Sequence, residues 1–228
     1  MKLTRQAVTL MLAAAILLLS GPAGGAAAQN PETLAILPFE NNSITDPDRY
    51  APLSKGLSAM LITDLSKSQT ALKLIERGKI AALLKEIALG QSGGVDEATA
   101  VRAGKILGAR CIAFGSFMVI GKQMRIDTRI IKVETSELLM AESIQGKKDD
   151  FMALEQNLAG KIAAALNVEL KDRSAPAESD IDAALCFSRG LDLLDNGDKQ
   201  AARQMFKKCI ELDPAYQAQV DLVQGMEP

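Results

Sequence analysis

The sequence predicts an α/β fold: a mixed β-sheet of about five strands packed with four helices, followed by a small C-terminal α-helical hairpin. Three observations predict it. The unbroken apolar runs Leu34–Phe39 and Leu72–Ile75 alternate with helical patterns, as strands buried on both faces do. Three further strand-like segments, Arg110–Val119, Gln123–Val133 and Leu138–Gln145, follow one another across turns at Gly121-Lys122 and Thr135-Ser136. Ala183–Tyr216 then reads as two helices closed by Pro214.

Each element has a local reason. Pro38 takes the first strand out of the sheet into a loop, Asn41–Asp48, rich in Asn, Asp, Ser and Pro. Pro52 suits the first turn of a helix, where its missing N–H costs nothing, and Leu53, Leu57, Met60 and Leu61 give that helix an apolar face through about Ser66. Ile80, Leu83, Leu84, Ile87 and Ala88 repeat the helical spacing after the second strand. Gln91–Gly94 breaks this helix, Asp96 caps the next and Gly108 closes it. Along the middle strand of the three, Met124, Ile126, Thr128 and Ile130 point one way and Arg125, Asp127 and Arg129 the other, which predicts a covered face and a wetter one. Asp149 or Asp150 is expected to cap a last helix burying Phe151, Leu154, Leu158, Ile162 and Leu166.

The ends of the chain predict its compartment. Met1–Arg5 is short and basic, Ala7–Leu19 is apolar, and Ala26-Ala27-Ala28 follows a Gly-rich stretch, the layout of a secretory leader cleaved after about Ala28. The apolar stretch falls short of the roughly 20 residues that span a bilayer. The reading is therefore an exported, periplasmic protein without a transmembrane segment in its mature part; a place peripheral to the outer membrane is compatible with it. Without Lys2 and Arg5 the acidic side chains outnumber the basic ones, with both signs interspersed, which disfavours nucleic acid as a partner. Four segments follow: a leader, 1–28; an α/β domain, 29–170; a charged linker, 171–180, containing Pro176; and the hairpin, 181–228, opened by Ser179 with Asp182.

Little in the chain points to catalysis. Histidine is absent, which removes the commonest general base, any Ser-His triad and the ordinary zinc site. The Gly-Lys pairs at Gly78, Gly104, Gly121, Gly146 and Gly160 lack the upstream glycine and following Ser or Thr of a phosphate-binding loop. Asp46-Pro47-Asp48 and Asp149-Asp150 read as a turn and a helix cap rather than as calcium ligands, and Glu76-Arg77 as an ion pair or loop anchor. No catalytic residue, cofactor or metal is assigned. Cys186 and Cys209 lie at ends of the two hairpin helices that antiparallel packing brings together; a disulfide and two buried thiols both fit, because spacing does not fix the Cα separation a bridge requires. Cys111 opens a strand and reads as core.

A set of phrases carries a family resemblance. Ala35-Ile36-Leu37-Pro38-Phe39, Leu74-Ile75-Glu76-Arg77, Gly94-Val95-Asp96, and Gly104-Lys105-Ile106-Leu107-Gly108-Ala109 leading to Phe114-Gly115-Ser116 resemble, in order and spacing, the CsgG family, named for the outer-membrane curli-secretion component. The resemblance implies the same α/β sandwich and a binding or assembly role. Channel-forming members are lipoproteins with long barrel hairpins. This chain has no cysteine at the leader junction, and its strand turns are short, so a channel subunit is the lesser reading. Ala183–Tyr216 resembles one 34-residue tetratricopeptide repeat through Gly190, Gly197, Ala202, Phe206 and Pro214, with Cys209 where Ala is usual and Arg189 where Leu is. On that alignment Phe187, Leu191 and Leu194 fall on the repeat's groove and are the candidate partner-binding residues; their alternative role is packing. The expectation is an adaptor or assembly factor in envelope biogenesis or secretion, with envelope proteins and a second copy of the chain as partners. The alternative is a small-molecule sensor with its cleft near Asn41–Ser43.

Overall fold

A computed structural model of the protein describes residues 32–69, 72–88, 96–170 and 181–225. The leader, 1–28, the linker, 171–180, the break at Gln91–Gly94 and the cap at Ser179 lie outside the described residues. In order, the elements are β1 (Thr33–Ile36), β2 (Glu40–Asn41), α1 (Pro47–Tyr50), α2 (Leu53–Ser66), β3 (Lys73–Leu74), α3 (Arg77–Ala88), α4 (Glu97–Leu107), β4 (Cys111–Ile120), β5 (Gln123–Lys132), β6 (Leu138–Lys147), α5 (Phe151–Ala165), α6 (Ile181–Asp195), α7 (Lys199–Leu212) and α8 (Gln217–Gly225).

The sheet runs β3-β1-β4-β5-β6, with β2 also paired to β4. β1 lies parallel to β3 and β4, while β4, β5 and β6 are an antiparallel meander. The mixed α/β fold predicted from the sequence is the fold observed. Alternation along β1 divides its side chains between two cores: Leu34 and Ile36 join one, Ala35 and Leu37 the other. The second core lies under α3 and α4, where Ile80, Leu83, Ala100 and Ala103 meet Ile112, Phe114, Ile131 and Val133. These helices cover only part of that face, so Arg125 and Arg129 remain exposed beyond them. The wetter face expected of the middle strand is thus half roofed.

Locally, the expected loop Asn41–Asp48 begins in β2 and ends in α1, and one of the expected caps is not formed. Asp96 Oδ1 accepts the Thr99 N–H at 2.7 Å, and α4 ends on Gly108. Neither Asp149 nor Asp150 caps α5, because a single 3₁₀ turn, Lys148–Asp150, leads into the helix and Asp150 makes no side-chain cap bond. Asp149 pairs with Lys148 instead, at 2.6 Å.

The first core is larger and runs without a break into the C-terminal helices. Phe117, Ile126 and Ile130 of the sheet, Leu57 and Met60 of α2, and Leu158 and Ile162 of α5 share it with Leu185, Phe187, Phe206, Tyr216 and Val220. The described residues fall within one compact unit. The sequence boundary between 29–170 and 181–228 therefore runs through a shared interior. The close point is Gly56, where a Cβ would stand 1.8 Å from Ser188 Oγ and 2.8 Å from Ser188 Cβ; the hydroxyl is held by the Ala184 carbonyl at 2.7 Å. Gly56→Ala is expected to push α6 away from α2 and cost about 1–3 kcal/mol. Adding Ser188→Gly removes the clash, so urea denaturation of the two single variants and the double should give a favourable coupling. Additive losses would mean that α6 does not seat on α2.

One charged group lies inside this core. Glu155 of α5 is fully buried and faces Asp64 of α2, whose carboxylate is held by Lys67 at 2.8 Å. Burial, and then the like charge of Asp64, push the Glu155 carboxyl well above its ordinary value, against a smaller opposing pull from Lys67. The folded state thus keeps a proton that the unfolded chain releases, so this group's contribution is full below about pH 4.5 and falls as pH rises toward the folded value. Glu155→Gln should remove that decline and leave the protein more stable than the parent at neutral pH. Urea midpoints measured from pH 4 to 8 check it; parallel pH profiles for the two proteins would refute it.

Candidate functional site

Where the carboxyl ends of the parallel strands β1 and β3 meet the helices, the structure opens a cleft. Such ends are where open α/β sheets leave room for a ligand, because the chain turns away from the sheet there. Ile36 at the end of β1 and Pro38 just beyond it form one wall, α3 supplies Ile80, Ala81 and Leu84, and the volume of this open cleft is about 520 Å³. Its rim is charged: Lys55 from the first turn of α2, Arg77 from the start of α3, Lys85, and Asp195 with Asn196 from the end of α6. A smaller hollow of about 220 Å³ adjoins the same Arg77 and Asp195 and is lined by Ile62, Thr63, Leu194 and Val223. A third hollow, about 700 Å³, follows the outer surface of α4 past Arg102, Lys105 and Ile106. It draws on a single helix and the Ser136 turn, so fewer elements converge on it.

The charges at the cleft have a structural cause. Asp192 and Asp195 occupy the last turn of α6, where the helix dipole disfavours negative charge and that turn offers no basic residue of its own. Cations from elsewhere compensate. Lys55 Nζ reaches Asp192 at 2.7 Å and Asp195 at 3.2 Å, and Arg77 Nη1 reaches Asp195 at 2.6 Å. The side chains of Arg77 and Asp195 are less than one-fifth exposed, which places this pair between a surface bridge and a buried one. Burial alone would lower Lys55, but its hydrogen bond to Asp192 and the charges of Asp192 and Asp195 outweigh it and hold the amine above its ordinary value.

The candidate residues read from the sequence divide between this cleft and the interior. Phe187 is fully buried between Phe206, at 5.9 Å, and Tyr216, at 5.8 Å, and Leu191 is also buried. Leu194 is partly buried and reaches the smaller hollow beside Asp195. Cys186 and Cys209 are buried thiols in the hairpin. At Asn41–Ser43 the polar groups are used locally: Asn41 donates to the Pro47 carbonyl at 2.8 Å, its Oδ1 accepts from Ser43 N–H at 3.0 Å, and Ser43 Oγ accepts from Val119 N–H at 3.1 Å. Glu76-Arg77 acts as the loop anchor expected, with Arg77 on Asp195 and Glu76 near Lys79. Sequence reasoning missed Lys55, Asp192 and Asp195. Their signal was two aspartates in a last helical turn that carries no cation.

Residues 27–121 match a known family. It is the family described as "Curli production assembly/transport component CsgG". The matched span takes in β1 through β4, and with it Lys55, Arg77 and most of the cleft wall. The protein named "Putative adenylate cyclase 3" from Rhizobium meliloti (strain 1021) is 28% identical over 194 residues, which is 82% of this chain and 31% of that protein. The chain thus spans about a third of the curated relative it matches. Among solved structures, lipoprotein GNA1162 from Neisseria meningitidis superposes with a TM-score of 0.40 at 15% identity, over 60% of this chain and 95% of that one. The LpoB C-terminal domain from Salmonella enterica gives 0.35 at 11%, over 51% and 82%. The PelC dodecamer from Paraburkholderia phytofirmans gives 0.37 at 11%, over 60% and 87%. Among the described residues no helix is long and apolar enough to cross a membrane, and no group of three Cys, Asp or Glu could share a metal ion.

The ion pairs can be weighed directly. In a cycle of Arg77→Gln and Asp195→Asn, urea denaturation at low salt should give a coupling of about 1–2 kcal/mol that shrinks as salt is added. A coupling of zero would mean that the pair does not help to hold α6 against α3.

Proposed function

We propose that this chain is a non-catalytic, exported protein of the cell envelope that acts as an adaptor or assembly factor through protein contacts, with a single tetratricopeptide-like hairpin built onto its CsgG-like part. The family match supports the envelope assignment and the leader-like N-terminus supports export. The observation that carries the binding role is the cleft: an apolar floor from β1 and α3 with a rim of Lys55, Arg77 and Lys85, placed where the hairpin meets the sheet. Phe187 and Leu191 then serve by fixing the hairpin, and Leu194 borders the recognition surface. The activity in the relative's name is not carried over, because the chain spans less than a third of that protein.

The cleft's volume also supports a second reading, the sensing of a small anionic molecule with an apolar body, since about 520 Å³ lies within the ordinary range of ligand sites. One experiment separates the two. A photo-crosslinking amino acid is placed at Ala81 in the cleft or, as a control, at Glu211 on the exposed side of α7. In intact cells the Ala81 position should capture a defined envelope protein, and the control should not. Equal capture from both positions would remove the cleft from the binding role, and thermal stabilisation by a small anion without protein capture would favour the sensor. Purified chain given ATP is expected to form no cyclic AMP; formation that is lost on one carboxylate substitution would overturn the non-catalytic reading.

A further inference from the structure

We infer that Cys186 and Cys209 close into a disulfide across the α6–α7 hairpin when the chain meets a disulfide-bearing thiol oxidant. The register of the two helices carries the inference. Gly190 of α6 faces Phe206 of α7 so closely that a Cβ at Gly190 would stand 2.4 Å from the ring. This contact fixes which faces meet. In an α-helix, residues three or four apart lie on one face, a turn from each other. Away from the hairpin's turn, one helical turn from Gly190 is Cys186, and one from Phe206 is Cys209. The antiparallel pair therefore sets the two cysteines opposite each other, in the layer next to the Gly190–Phe206 contact. Phe187, beside Cys186, agrees with this register: its ring packs against that of Phe206 at 5.9 Å, tilted by 46°.

The surroundings agree. Both thiols are buried. Burial pushes the Cys209 thiol up to about 12, and the nearby Cys186 is the next contribution in the same direction. A thiol so raised reacts slowly once the hairpin is packed, so the bridge forms while the chain folds. The chemistry is thiol–disulfide exchange. A thiolate of the pair attacks the oxidant's S–S bond and expels one oxidant thiolate; the second cysteine, as its thiolate, then attacks the mixed disulfide and expels the other. Two protein thiols become one disulfide, and the oxidant leaves as two thiols with the two protons. Cys111 lies in β4, in another part of the molecule, and stays a thiol.

The test counts thiols. Full-length chain is refolded in a glutathione redox buffer, and a second sample is taken from the exported fraction of cells. Each is denatured without reductant and alkylated. The expected result in both is one label, on Cys111, with a mass that after subtraction of the label is two hydrogens below the same chain reduced, and a proteolytic fragment joining Cys186 to Cys209; reduction first gives three labels. Three labels without reductant, or glutathione retained on either hairpin cysteine, would overturn the inference. Reductant should also lower the melting midpoint of the refolded protein by roughly 5–10 °C, the size expected for loss of a native cross-link in a domain of this length. Cys209→Ala places another small apolar side chain at the same site and should melt at one temperature with or without reductant. An equal response in parent and variant would likewise count against the bridge.

Discussion

Helix α2 is buried on nearly every side, and the remaining architecture is arranged around that burial. Ten of its residues, from Leu53 to Leu65, are buried, including Gly56, Ser58, Ala59 and Thr63 on the side away from the sheet. A helix without a polar stripe needs a second layer of protein, because a face left bare would expose apolar surface worth about 25 cal/mol per Å². The sheet covers one side through Ile36, Phe117 and Ile130, α5 and α6 cover the others, and α8 closes one end. Its small polar groups cost little inside, since Ser58 and Thr63 hydroxyls bond to their own helix at the Lys55 and Ala59 carbonyls. Its charged residues sit near its ends: Lys55 reaches the aspartates of α6, and Asp64 binds Lys67 beside Glu155. Remove α6 and α7, and α2 faces water along Gly56, Ala59 and Thr63. The helical C-terminus is thus the missing layer of this core.

Much of this was legible in the sequence. The succession of strands and helices along the chain, with its final run of three strands, followed from apolar runs and alternation, because each element's burial is written in its own residues. The hairpin was legible for the same reason, with Gly190 and Ala202 marking close approach. The docking of hairpin on sheet was harder to read. Leu53, Leu57, Met60 and Leu61 announced one apolar face of α2, but the face that receives α6 is made of small residues, Gly56 with Ala59 one turn on, which read from sequence as the indifferent side of an amphipathic helix. Small residues pack closely without looking hydrophobic. Phe187 and Leu191 were ambiguous in the complementary way: large apolar side chains on a helix look alike whether they await a partner or meet one inside the chain.

The cleft was less legible still, because charge pairing between distant segments leaves no local pattern. Arg77 and Asp195 are 118 positions apart, and Lys55 is farther from both of its aspartates. Only the topology brings them together: β3 delivers Arg77 to the carboxyl end of β1, α2 starts at that end, and α6 finishes there. The one local hint was energetic. Asp192 and Asp195 oppose the dipole of the helix that carries them, a conflict of the kind that usually marks a site resolved by tertiary contact.

The same carboxylate that resolves this conflict also ties the cleft to the hairpin. Asp195 neutralises Lys55 and Arg77, which line the cavity, and it anchors the end of α6, which completes the core around α2. An anionic group entering the cleft would compete with Asp195 for those two cations. Each binding event then changes the free energy of the other by the same amount, so occupancy loosens the end of α6 as much as a loosened α6 favours occupancy. The smaller hollow beside Leu194 and Val223 lies directly behind this pair, where such movement would first open apolar surface. A bridge between Cys186 and Cys209 would confine the movement. It joins α6 to α7 more than two turns back from Asp195, leaving the α6 end free to shift while Phe187 and Leu191 stay seated. With such a bridge the hairpin would be stapled at its base and held at its tip by ion pairs, a fixed body with one edge that occupancy of the cleft would move.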